Sequence, residues 1–549
     1  MRITSQGGSF LARDPRATAS VGRSPAGQGM RARRLLIVTG WLLGTVVAFT
    51  CYVQLARTRS VDSDGASQAL AAWDMLHGNV LLHGWWLGDV SFYTTELPEY
   101  MLVELVRGLN EDVVHVAAAL TYTLVLLVAA LLAKGSATGR AALARVLITV
   151  GVMLAPQLVT GVKILISSPD HIGTSVPVLA AFLILDRAPR RRYALVVVPA
   201  LLGWAAIADM LVLFIGVLPV ALVSWLRAFR PVWAERQWRL DRYYLALAAA
   251  AAVAGVAAEF APTGITAAGG FLVLQPLNRL VGLGALPHTA NLTGQGLLLL
   301  AGADFLGLRP GPATAAVCLH LVGVIVIGIG VLIAVRRFAR DLGFVDQILV
   351  IAVAINLASY VLSIQATSIM TTREIAVVLP LSAVLAGRML ADRVLAIRCA
   401  PALLLLVLAG YLAGLGYELA QPSVPAQNYQ LASWLAAHHL SSGLSGYWEA
   451  NVVTLASGDR IHVRAMTADG PRLLRYEWNT DAAWYDPRSQ TANFVVFGPP
   501  ILGNPGFSDR AAVLAAFGRP AQTYHVGAYQ VLVWNKNLLP ALARTGSVY

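Results

Sequence analysis

The sequence predicts a polytopic α-helical membrane protein with a soluble α/β domain at its C-terminal end. Of the 549 residues, 57% are hydrophobic and only 13% are charged, a balance that excludes an ordinary soluble globular protein. The arginines form short clusters between long apolar runs, so the formal net charge of +12 indicates orientation in a membrane and not binding to nucleic acid. From Leu419 onward, short strands and amphipathic helices replace the apolar runs, which predicts the α/β domain.

The N-terminal stretch Met1–Arg34 is rich in Ser, Gly and Arg and has no apolar periodicity, so we expect a disordered cytoplasmic tail. The apolar segment Leu35–Ala56 follows directly. It is long enough to cross a bilayer and too long for the core of a signal peptide, which predicts a retained anchor. Arginines before this segment place its N-terminal end in the cytoplasm.

Further apolar segments bring the predicted number of membrane spans to about eleven. They are Val113–Ala133, Val146–Ile166, Thr174–Asp186, Tyr193–Ala208, Met210–Leu226, Tyr243–Ala261, Ala313–Val335, Val345–Ser363, Ile375–Ala391 and Pro401–Glu418. Threading the spans alternately puts nearly all arginine clusters on the cytoplasmic side, as the positive-inside rule requires. A single helix over Leu195–Leu226 would invert everything after it. The transmembrane domain is thus residues 35–418, and residues 419–549 form an extracytoplasmic domain.

Within that C-terminal domain, alternation and helical periodicity predict individual elements. They are helices over Tyr429–Leu440 and Asp509–Phe517, the second capped by Ser508, and strands over Ile461–Ala465, Asn493–Phe497 and Gln530–Trp534.

Two long segments between the spans also lie outside in this topology. The first loop, Arg57–Asp112, carries nine carboxylates and five Trp or Tyr residues in a chain that is otherwise basic and aliphatic. The middle loop, Pro262–Pro312, is rich in glycine and proline. A loop as long as the first is uncommon between neighbouring membrane helices unless it is functional. We therefore expect the functional site in the first loop.

Carboxylates are the candidate chemical groups, because the sequence contains no phosphate-cradling Gly-rich loop, zinc signature or Ser/His nucleophile motif. Asp62 and Asp64 are two residues apart, and on an extended backbone both side chains point to one side. Such a pair can accept a proton from a hydroxyl or hold a divalent cation through oxygen ligands. Alternatively, the two acids cap the predicted helix Ala66–Leu76, which is amphipathic and expected along the membrane interface.

The first-loop stretch VDSDGASQALAAWDMLHGN has an acidic pair, a helix and a Gly-containing turn. In this it resembles the GT-C class of membrane glycosyltransferases, most closely the protein O-mannosyltransferase and lipid A aminoarabinose transferase branch. The resemblance implies a polytopic helical bundle, a polyprenyl-phosphate-sugar donor and an acidic catalytic residue early in the first outer loop. It assigns the catalytic role to Asp64, and secondarily to Asp62. Gly65 stands where that branch usually has the second acid. Whether Asp62 and Asp64 bind a divalent cation is left open by the resemblance.

A second point of likeness is TTREIAVVLPLSAVLAGRML, Thr371–Leu390, which resembles the Arg-Tyr-x-x-x-x-x-Pro stretch that opens a late span in these enzymes. Here Arg373 is followed by Glu374 instead of Tyr, and Pro380 lies in the predicted helix. An arginine at the outer end of a helix can pair with a lipid phosphate through its planar fork. The alternative is an Arg373–Glu374 pair that reaches to the membrane interface.

Other candidate substrate-binding residues lie in the parts of the chain that are predicted outside. They are His83, Trp85, Glu96, His171, Asp209 and Asp304. His83 and Trp85 could stack on a sugar, and Tyr93–Tyr100 is the expected wall of the site. Asp209 interrupts deeply apolar sequence, where an ionisable group is costly and often functional; we expect it at the tip of a helical hairpin. Structural alternatives are interfacial aromatic residues, an incidental loop histidine, and caps or turns.

These features favour a glycosyltransferase of the bacterial cytoplasmic membrane. It would move a hexosyl or pentosyl unit from a polyprenyl-phosphate-linked donor to a glycan, lipid or protein acceptor at the outer face. Aromatic residues of the C-terminal domain, around Tyr447 and in Trp478–Tyr485, would help to hold the acceptor. The alternatives are a transporter or flippase of a lipid-linked envelope precursor, which predicts ionisable residues along a path through the spans, and a non-catalytic envelope scaffold.

Overall fold

The computed structural model describes residues 25–154, 160–234, 239–274, 279–424, 428–499, 507 and 509–544. The chain divides into two compact units, Met1–Ala48 and Phe49–Tyr549. The described part of the first unit belongs to helix α1 (Pro25–Ala56). Residues 25–34 are therefore helical where a disordered tail was expected. Ala, Gln, Met and Arg favour helix, and proline is tolerated in a first helical turn. The rest of the predicted tail lies outside the described residues.

The second unit is mainly helical in its described part. Its α-helices are α2 (Ser63–Leu76), α3 (Glu96–Arg107), α4 (Asp112–Lys134), α5 (Gly139–Met153), α6 (Thr160–Leu165), α7 (Ser175–Arg187), α8 (Ala194–Ala208), α9 (Leu218–Ala234), α10 (Arg242–Ala267), α11 (Leu286–Leu300), α12 (Pro312–Leu319), α13 (Leu321–Arg337), α14 (Phe344–Leu362), α15 (Val378–Ala396), α16 (Ala400–Leu419), α17 (Tyr429–Ala437), α18 (Tyr447–Ala456) and α19 (Arg510–Phe517). A π-helical turn, Leu213–Val217, precedes α9, and the 3-10 helices are Leu283–Ala285, Ile369–Ile375, Ala482–Tyr485 and Leu539–Ala541.

Among the described residues, 7 helices are long and apolar enough to cross a membrane, or 8 if the bent pair of Ile369–Ile375 and α15 is one span. They lie on α1, α4, α9, α10, α13, α14 and α16. The prediction of a polytopic helical membrane protein is therefore confirmed. The predicted spans Val146–Ile166, Thr174–Asp186 and Tyr193–Ala208 fall on shorter helices, from α5 to α8, so the count of eleven stays a prediction.

The first loop contains α2, a short strand and α3. Asp62 begins α2 as its N-cap, because its carboxylate accepts the backbone N–H of Gly65 at 3.0 Å, which satisfies a donor that the helix leaves unpaired. We expected this helix along the membrane interface, but most of its side chains are buried. Ala66 and Leu70 pack in one core with Val114 of α4 and Leu455 of α18. Its alanine-rich surface lets neighbours approach from both sides.

Helix α3 is amphipathic, and part of its apolar surface is exposed. Leu102, Leu105 and Val106 are exposed on it, whereas Leu97 and Tyr100 are buried in the core. Exposed leucine and valine beside a buried face fit a helix that lies in the membrane interface.

The C-terminal domain contains a sheet, as its alternating pattern predicts. The strands, in chain order from the first loop onward, are β1 (Trp85–Leu87), β2 (Leu272–Val273), β3 (Ser442–Ser445), β4 (His462–Asp469), β5 (Arg472–Arg475), β6 (Thr480–Asp481), β7 (Phe494–Phe497), β8 (Gln522–Val526) and β9 (Tyr529–Val533). Six of them form one sheet in the order β5-β4-β3-β7-β9-β8, with β3 parallel to both β4 and β7. Helix α19 is capped by Asp509, whose carboxylate accepts the N–H of Ala512 at 2.8 Å; the predicted cap, Ser508, lies outside the described residues.

A three-stranded sheet joins the first loop, the middle loop and the C-terminal domain. Strand β1 of the first loop pairs in parallel with β2, and pairs antiparallel with β6 of the C-terminal domain. Each pairing is only two residues long, with Trp86 opposite both Leu272 and Thr480. Three segments that are distant in sequence therefore meet at one place.

Glu104 lies on the buried face of α3, and its carboxyl group predicts how the stability of the fold depends on pH. This residue is 2% exposed, neither carboxyl oxygen has a hydrogen-bond partner among the described residues, and burial raises the pKa of the carboxyl group to about 9. An unfolded chain ionises this group above its ordinary pKa of 4.5. The folded protein therefore loses stability as the pH rises from 4.5 to about 9. We expect Glu104→Leu to stabilise the fold by about 1–3 kcal/mol near neutral pH.

The measurement is the Tm of the purified protein in detergent across that pH range. The gain of Glu104→Leu over wild type should grow with pH. The matched variant Glu104→Gln cannot ionise but stays polar, so it should lose the pH dependence with a smaller gain in Tm. A Tm of Glu104→Leu below that of wild type at alkaline pH would contradict the prediction.

Candidate functional site

Asp64 lies in the first turn of α2, where both of its carboxylate oxygens are hydrogen-bonded. Oδ1 accepts the hydroxyl of Tyr447 at 2.6 Å, and Oδ2 accepts Nη1 of Arg373 at 3.1 Å. Asp62 takes the structural role of N-cap. The two acids therefore do not form the pair on an extended backbone that we expected, because helix α2 has already begun at Ser63 and turns Asp64 away from Asp62.

Arg373 bridges two carboxylates from different parts of the chain. It lies in the 3-10 helix Ile369–Ile375 before α15, and Nη1 is 3.1 Å from Asp64 Oδ2 and 3.5 Å from Asp170 Oδ2. The other oxygen of Asp170 accepts Nε2 of Gln68 at 2.7 Å. Gln68 follows Asp64 by one helical turn, so both side chains face this cluster. The Arg373 side chain is still 41% exposed, which leaves its guanidinium open to a further anionic partner.

A second cluster lies beside the first, and His171 is its centre. Nδ1 of His171 is 2.9 Å from Asp209 Oδ2, and Nε2 is 3.8 Å from Glu374 Oε1. Burial opposes a charged imidazole, but Asp209 and Glu374 outweigh it and raise the pKa of His171 to about 10. His171 is therefore an imidazolium at neutral pH. Arg373 and Glu374 are adjacent in sequence, but Arg373 contacts Asp64 and Asp170 of the first cluster, whereas Glu374 faces His171 of the second.

Asp209 is the first residue after α8, and it is buried. Its Oδ1 accepts the N–H of Leu211 at 2.8 Å while Oδ2 faces His171. The expected hairpin tip is therefore a turn between α8 and the π-helical turn before α9, with the aspartate aimed inward.

Two further carboxyl groups of the first loop lie near this cluster. Burial raises the pKa of Asp89, and the charge of Asp209 adds to that effect. Burial also raises the pKa of Glu96 well above its ordinary value, and Thr95 donates a hydrogen bond to it. The Glu96 carboxyl group lies against Gly173 where a β-carbon would stand, so position 173 has no room for a side chain. Phe92, whose ring is 5.7 Å from that of His171, forms part of the wall.

The site is thus rich in carboxyl groups and has two cations. Its carboxyl groups are those of Asp64, Asp89, Glu96, Asp170, Asp209 and Glu374, and its cations are Arg373 and His171. Among the described residues, no group of three or more His, Cys, Asp or Glu side chains is arranged to hold a metal ion.

Three candidate residues are placed elsewhere. Trp85 is 1% exposed, donates its indole N–H to Asp74 at 2.8 Å and packs on Trp484. Its ring faces are therefore covered, which leaves none for a sugar. His83 is exposed and contacts the backbone oxygen of Gly269 at 2.6 Å, away from the cluster. Asp304 follows α11 half-buried, and burial raises its pKa.

Sequence reasoning missed several residues of the site, among them Asp89, Asp170, Gln68, Tyr447 as a partner of Asp64, and Asn479, whose amide donates to the Tyr447 hydroxyl at 3.1 Å. Asp170 had a signal in the sequence, since two ionisable residues adjoin in SSPDHIGT between apolar segments. Gln68 and Asn479 had none, because helix and loop positions of this kind are commonly polar for solubility alone.

Comparison with solved structures gives the fold. The lipid A aminoarabinose transferase ArnT from Cupriavidus metallidurans bound to undecaprenyl phosphate matches with a TM-score of 0.54 and 15% identity, covering 90% of this chain and 97% of that chain. The same protein in the apo state matches with a TM-score of 0.51 and 15% identity, covering 90% and 98%. The apo oligosaccharyltransferase of Archaeoglobus fulgidus has a TM-score of 0.43 and 13% identity, covering 83% and 69%.

No protein-family model and no curated protein sequence matches the chain. Both ArnT matches extend over nearly the whole of this chain and of ArnT. The chain therefore has the ArnT fold, and the resemblance to GT-C glycosyltransferases that the sequence indicated is confirmed for the fold.

The His171–Asp209 pair predicts a specific pH dependence of stability. Because the folded pKa of His171 is raised from 6.5 to about 10, the pair stabilises the fold fully below pH 6.5, and this contribution is lost as the pH rises to about 10. We expect His171→Gln to destabilise the protein by about 3–5 kcal/mol near neutral pH, since Asp209 is left buried without its cation. The difference in Tm from wild type should narrow towards pH 10.

The partner variant, Asp209→Asn, is the matched control for this pair. It removes the negative charge and keeps the shape, so it should flatten the same part of the pH–Tm curve. If His171 is a cation, the Tm of the wild type should fall more steeply than that of either variant between pH 6.5 and about 10. Equal slopes for all three proteins would contradict this assignment.

Proposed function

We propose that this protein is a membrane glycosyltransferase that moves a sugar from a polyprenyl-phosphate-linked donor to an acceptor hydroxyl at the outer face of a bacterial cytoplasmic membrane. One observation carries the proposal. The Asp64 carboxylate and the half-exposed Arg373 guanidinium are 3.1 Å apart, which puts a base and a phosphate-binding cation side by side. They lie in the fold of a protein whose structure contains undecaprenyl phosphate.

Arg373 is the residue proposed to bind the donor phosphate. Its planar guanidinium presents several N–H donors that match the oxygens of a phosphate, and its exposed part gives a lipid phosphate access. Asp64 and Asp170 hold this cation in place before the donor arrives. A phosphate that pairs with Arg373 competes with the contact to Asp64, whose side chain is more exposed than that of Asp170, and so frees Asp64 Oδ2.

Asp64 is the proposed general base. The acceptor hydroxyl gives its proton to the freed Oδ2 while its oxygen attacks the anomeric carbon of the donor. The bond between that carbon and the phosphate oxygen breaks, and the polyprenyl phosphate leaves with the electron pair. Arg373 balances the charge that develops on the leaving phosphate. A single displacement of this kind inverts the configuration at the anomeric carbon.

His171 and Asp62 have supporting roles in this proposal. The His171 imidazolium is a second positive charge next to Arg373, and it offsets Asp209 and Glu374, which would otherwise repel a phosphate. Asp62 caps α2 and so fixes the first turn that carries Asp64. A divalent cation would have Asp64 as one ligand, with Asp62 already engaged in capping.

The membrane orientation completes the proposal. Arginine clusters between the predicted spans favour a cytoplasmic N-terminus and an extracytoplasmic C-terminus. The transmembrane domain would comprise residues 35–418, and residues 419–549 would form an outer domain. The pairing of β1 with β2 and β6 supports this arrangement, because strands that pair lie on the same side of the membrane.

Asp64→Asn keeps the size of the side chain and removes the base. We expect the rate of sugar transfer to fall about 100- to 10,000-fold with unchanged expression and elution in detergent. Envelope glycans of a deletion strain identify the missing sugar, and wild type or variant is then returned to the strain. The control, Asp304→Asn, changes a half-buried acid outside the cluster and should restore the glycan.

Restoration of the glycan by Asp64→Asn at wild-type level would refute the proposed function. A lipid-linked sugar that accumulates on the cytoplasmic side of the deletion strain would favour the flippase alternative.

Arg373→Gln should weaken the binding of undecaprenyl phosphate. Loss of a charge-assisted hydrogen bond is worth about 1.5–3 kcal/mol, so we expect Kd to rise about 10- to 100-fold. Arg373→Lys keeps the charge without the fork and should give an intermediate value. The measurement is tryptophan fluorescence of the purified protein titrated with undecaprenyl phosphate in detergent. Equal Kd values for wild type and Arg373→Gln would exclude this arginine as the phosphate ligand.

A further inference from the structure

We infer that Tyr447 of the C-terminal domain is a positioning residue for Asp64, so that the active site is complete only when this domain is docked on the first loop. The inference rests on the proposed function and extends it. The sequence assigned the aromatic residues around Tyr447 to acceptor binding at most. The geometry instead puts the Tyr447 phenol 2.6 Å from Oδ1 of the proposed base.

Asn479, on the other side of the Tyr447 hydroxyl, determines the direction of this hydrogen bond. Nδ2 of Asn479 donates to the Tyr447 hydroxyl oxygen at 3.1 Å, and Oδ1 of Asn479 accepts the backbone N–H of Gly88 at 2.9 Å. The phenol oxygen is therefore an acceptor towards Asn479, and its own proton points to Asp64. Burial, together with the charge of Asp64, raises the pKa of Tyr447 well above its ordinary value. The phenol thus stays protonated and donates its proton to the hydrogen bond with Asp64.

The backbone of Tyr447 is held by the same turn of α2. Oγ of Ser63 donates to the carbonyl oxygen of Tyr447 at 2.5 Å. Residues 63 and 64 therefore bind both the main chain and the side chain of one residue from another domain. Helix α18, which begins at Tyr447, packs through Val452 and Leu455 on the core that includes α2. These contacts leave the phenol little freedom to turn away from Asp64.

Because of this contact, the two oxygens of Asp64 have different roles. Oδ2 faces Arg373 and is freed when a phosphate takes that cation, so it is the oxygen that accepts the proton. Oδ1 stays bound to Tyr447, which prevents the carboxylate from rotating about its Cβ–Cγ bond as Arg373 moves. A base that is misplaced by a rotation loses rate even when the substrate still binds. Tyr447 should therefore affect kcat and leave donor affinity unchanged.

Tyr447→Phe removes the hydroxyl alone. We expect kcat for sugar transfer to fall about 10- to 100-fold, the effect of losing one hydrogen bond to a charged group. The Kd for undecaprenyl phosphate should change less than about threefold, because the phenol does not touch Arg373. The matched control is Tyr529→Phe, which removes a buried phenol that donates to Oδ1 of Asn428 within the same domain. That variant should keep the wild-type kcat.

Asn479→Asp tests the direction of the hydrogen bond with an isosteric change. A carboxylate at position 479 accepts the phenol proton and so draws it away from Asp64. We expect a fall in kcat similar to that of Tyr447→Phe. In the Tyr447→Phe background the same change should have little further effect, since it acts through a hydroxyl that is no longer present. This double-mutant cycle separates positioning from general damage to the domain, and Tm and elution in detergent show that each variant is folded.

The positioning role alone would be overturned by wild-type kcat in Tyr447→Phe while Asp64→Asn is inactive, or by an equal loss of kcat in Tyr529→Phe. Additive effects of Asn479→Asp and Tyr447→Phe would also overturn it. Wild-type transfer by Asp64→Asn would overturn the proposed function together with this inference.

Discussion

The ion pair between Asp64 and Arg373 is the contact on which the arrangement of the site depends. Its partners are 309 residues apart in sequence, Asp64 in the first turn of α2 and Arg373 in the last turn of the 3-10 helix before α15. Asp64 follows the cap of α2, and Arg373 precedes the bend into α15. The pair therefore fixes the first loop against the late spans. Because the guanidinium stays half-exposed, an anionic ligand such as the proposed donor phosphate can reach it.

Charge balance explains why the neighbouring residues have the partners they do. A buried carboxylate is costly unless it is paired or hydrogen-bonded. Asp170 is bound by Gln68 and Arg373, and Asp209 by His171 and a backbone amide. Neither oxygen of Glu104 on α3 has such a partner among the described residues, and burial raises the pKa of this carboxyl group to about 9. Each of the two cations of the site thus lies between carboxylates from distant parts of the chain.

Docking of the C-terminal domain is as much a part of the site as the membrane helices are. The short strand β1 lies between β2 and β6 and pairs with both, so the backbone groups of this loop strand find hydrogen-bond partners. This pairing brings Asn479 next to Gly88, and α18 brings Tyr447 next to Asp64. Three segments that the sequence could only assign to one side of the membrane are thereby joined.

The sequence by itself determined the polytopic class, the sheet-containing C-terminal domain, and Asp64, Arg373, His171 and Asp209 as residues to examine. Hydropathy and periodicity act locally, and an ionisable group in apolar sequence is conspicuous because its burial is costly. Only the tertiary structure decided the partners. It assigned Asp62 to capping and Trp85 to the core, buried the helix that was expected at the interface, and brought Tyr447 to Asp64. Such contacts depend on how distant helices and strands pack, and no short stretch of sequence encodes that packing.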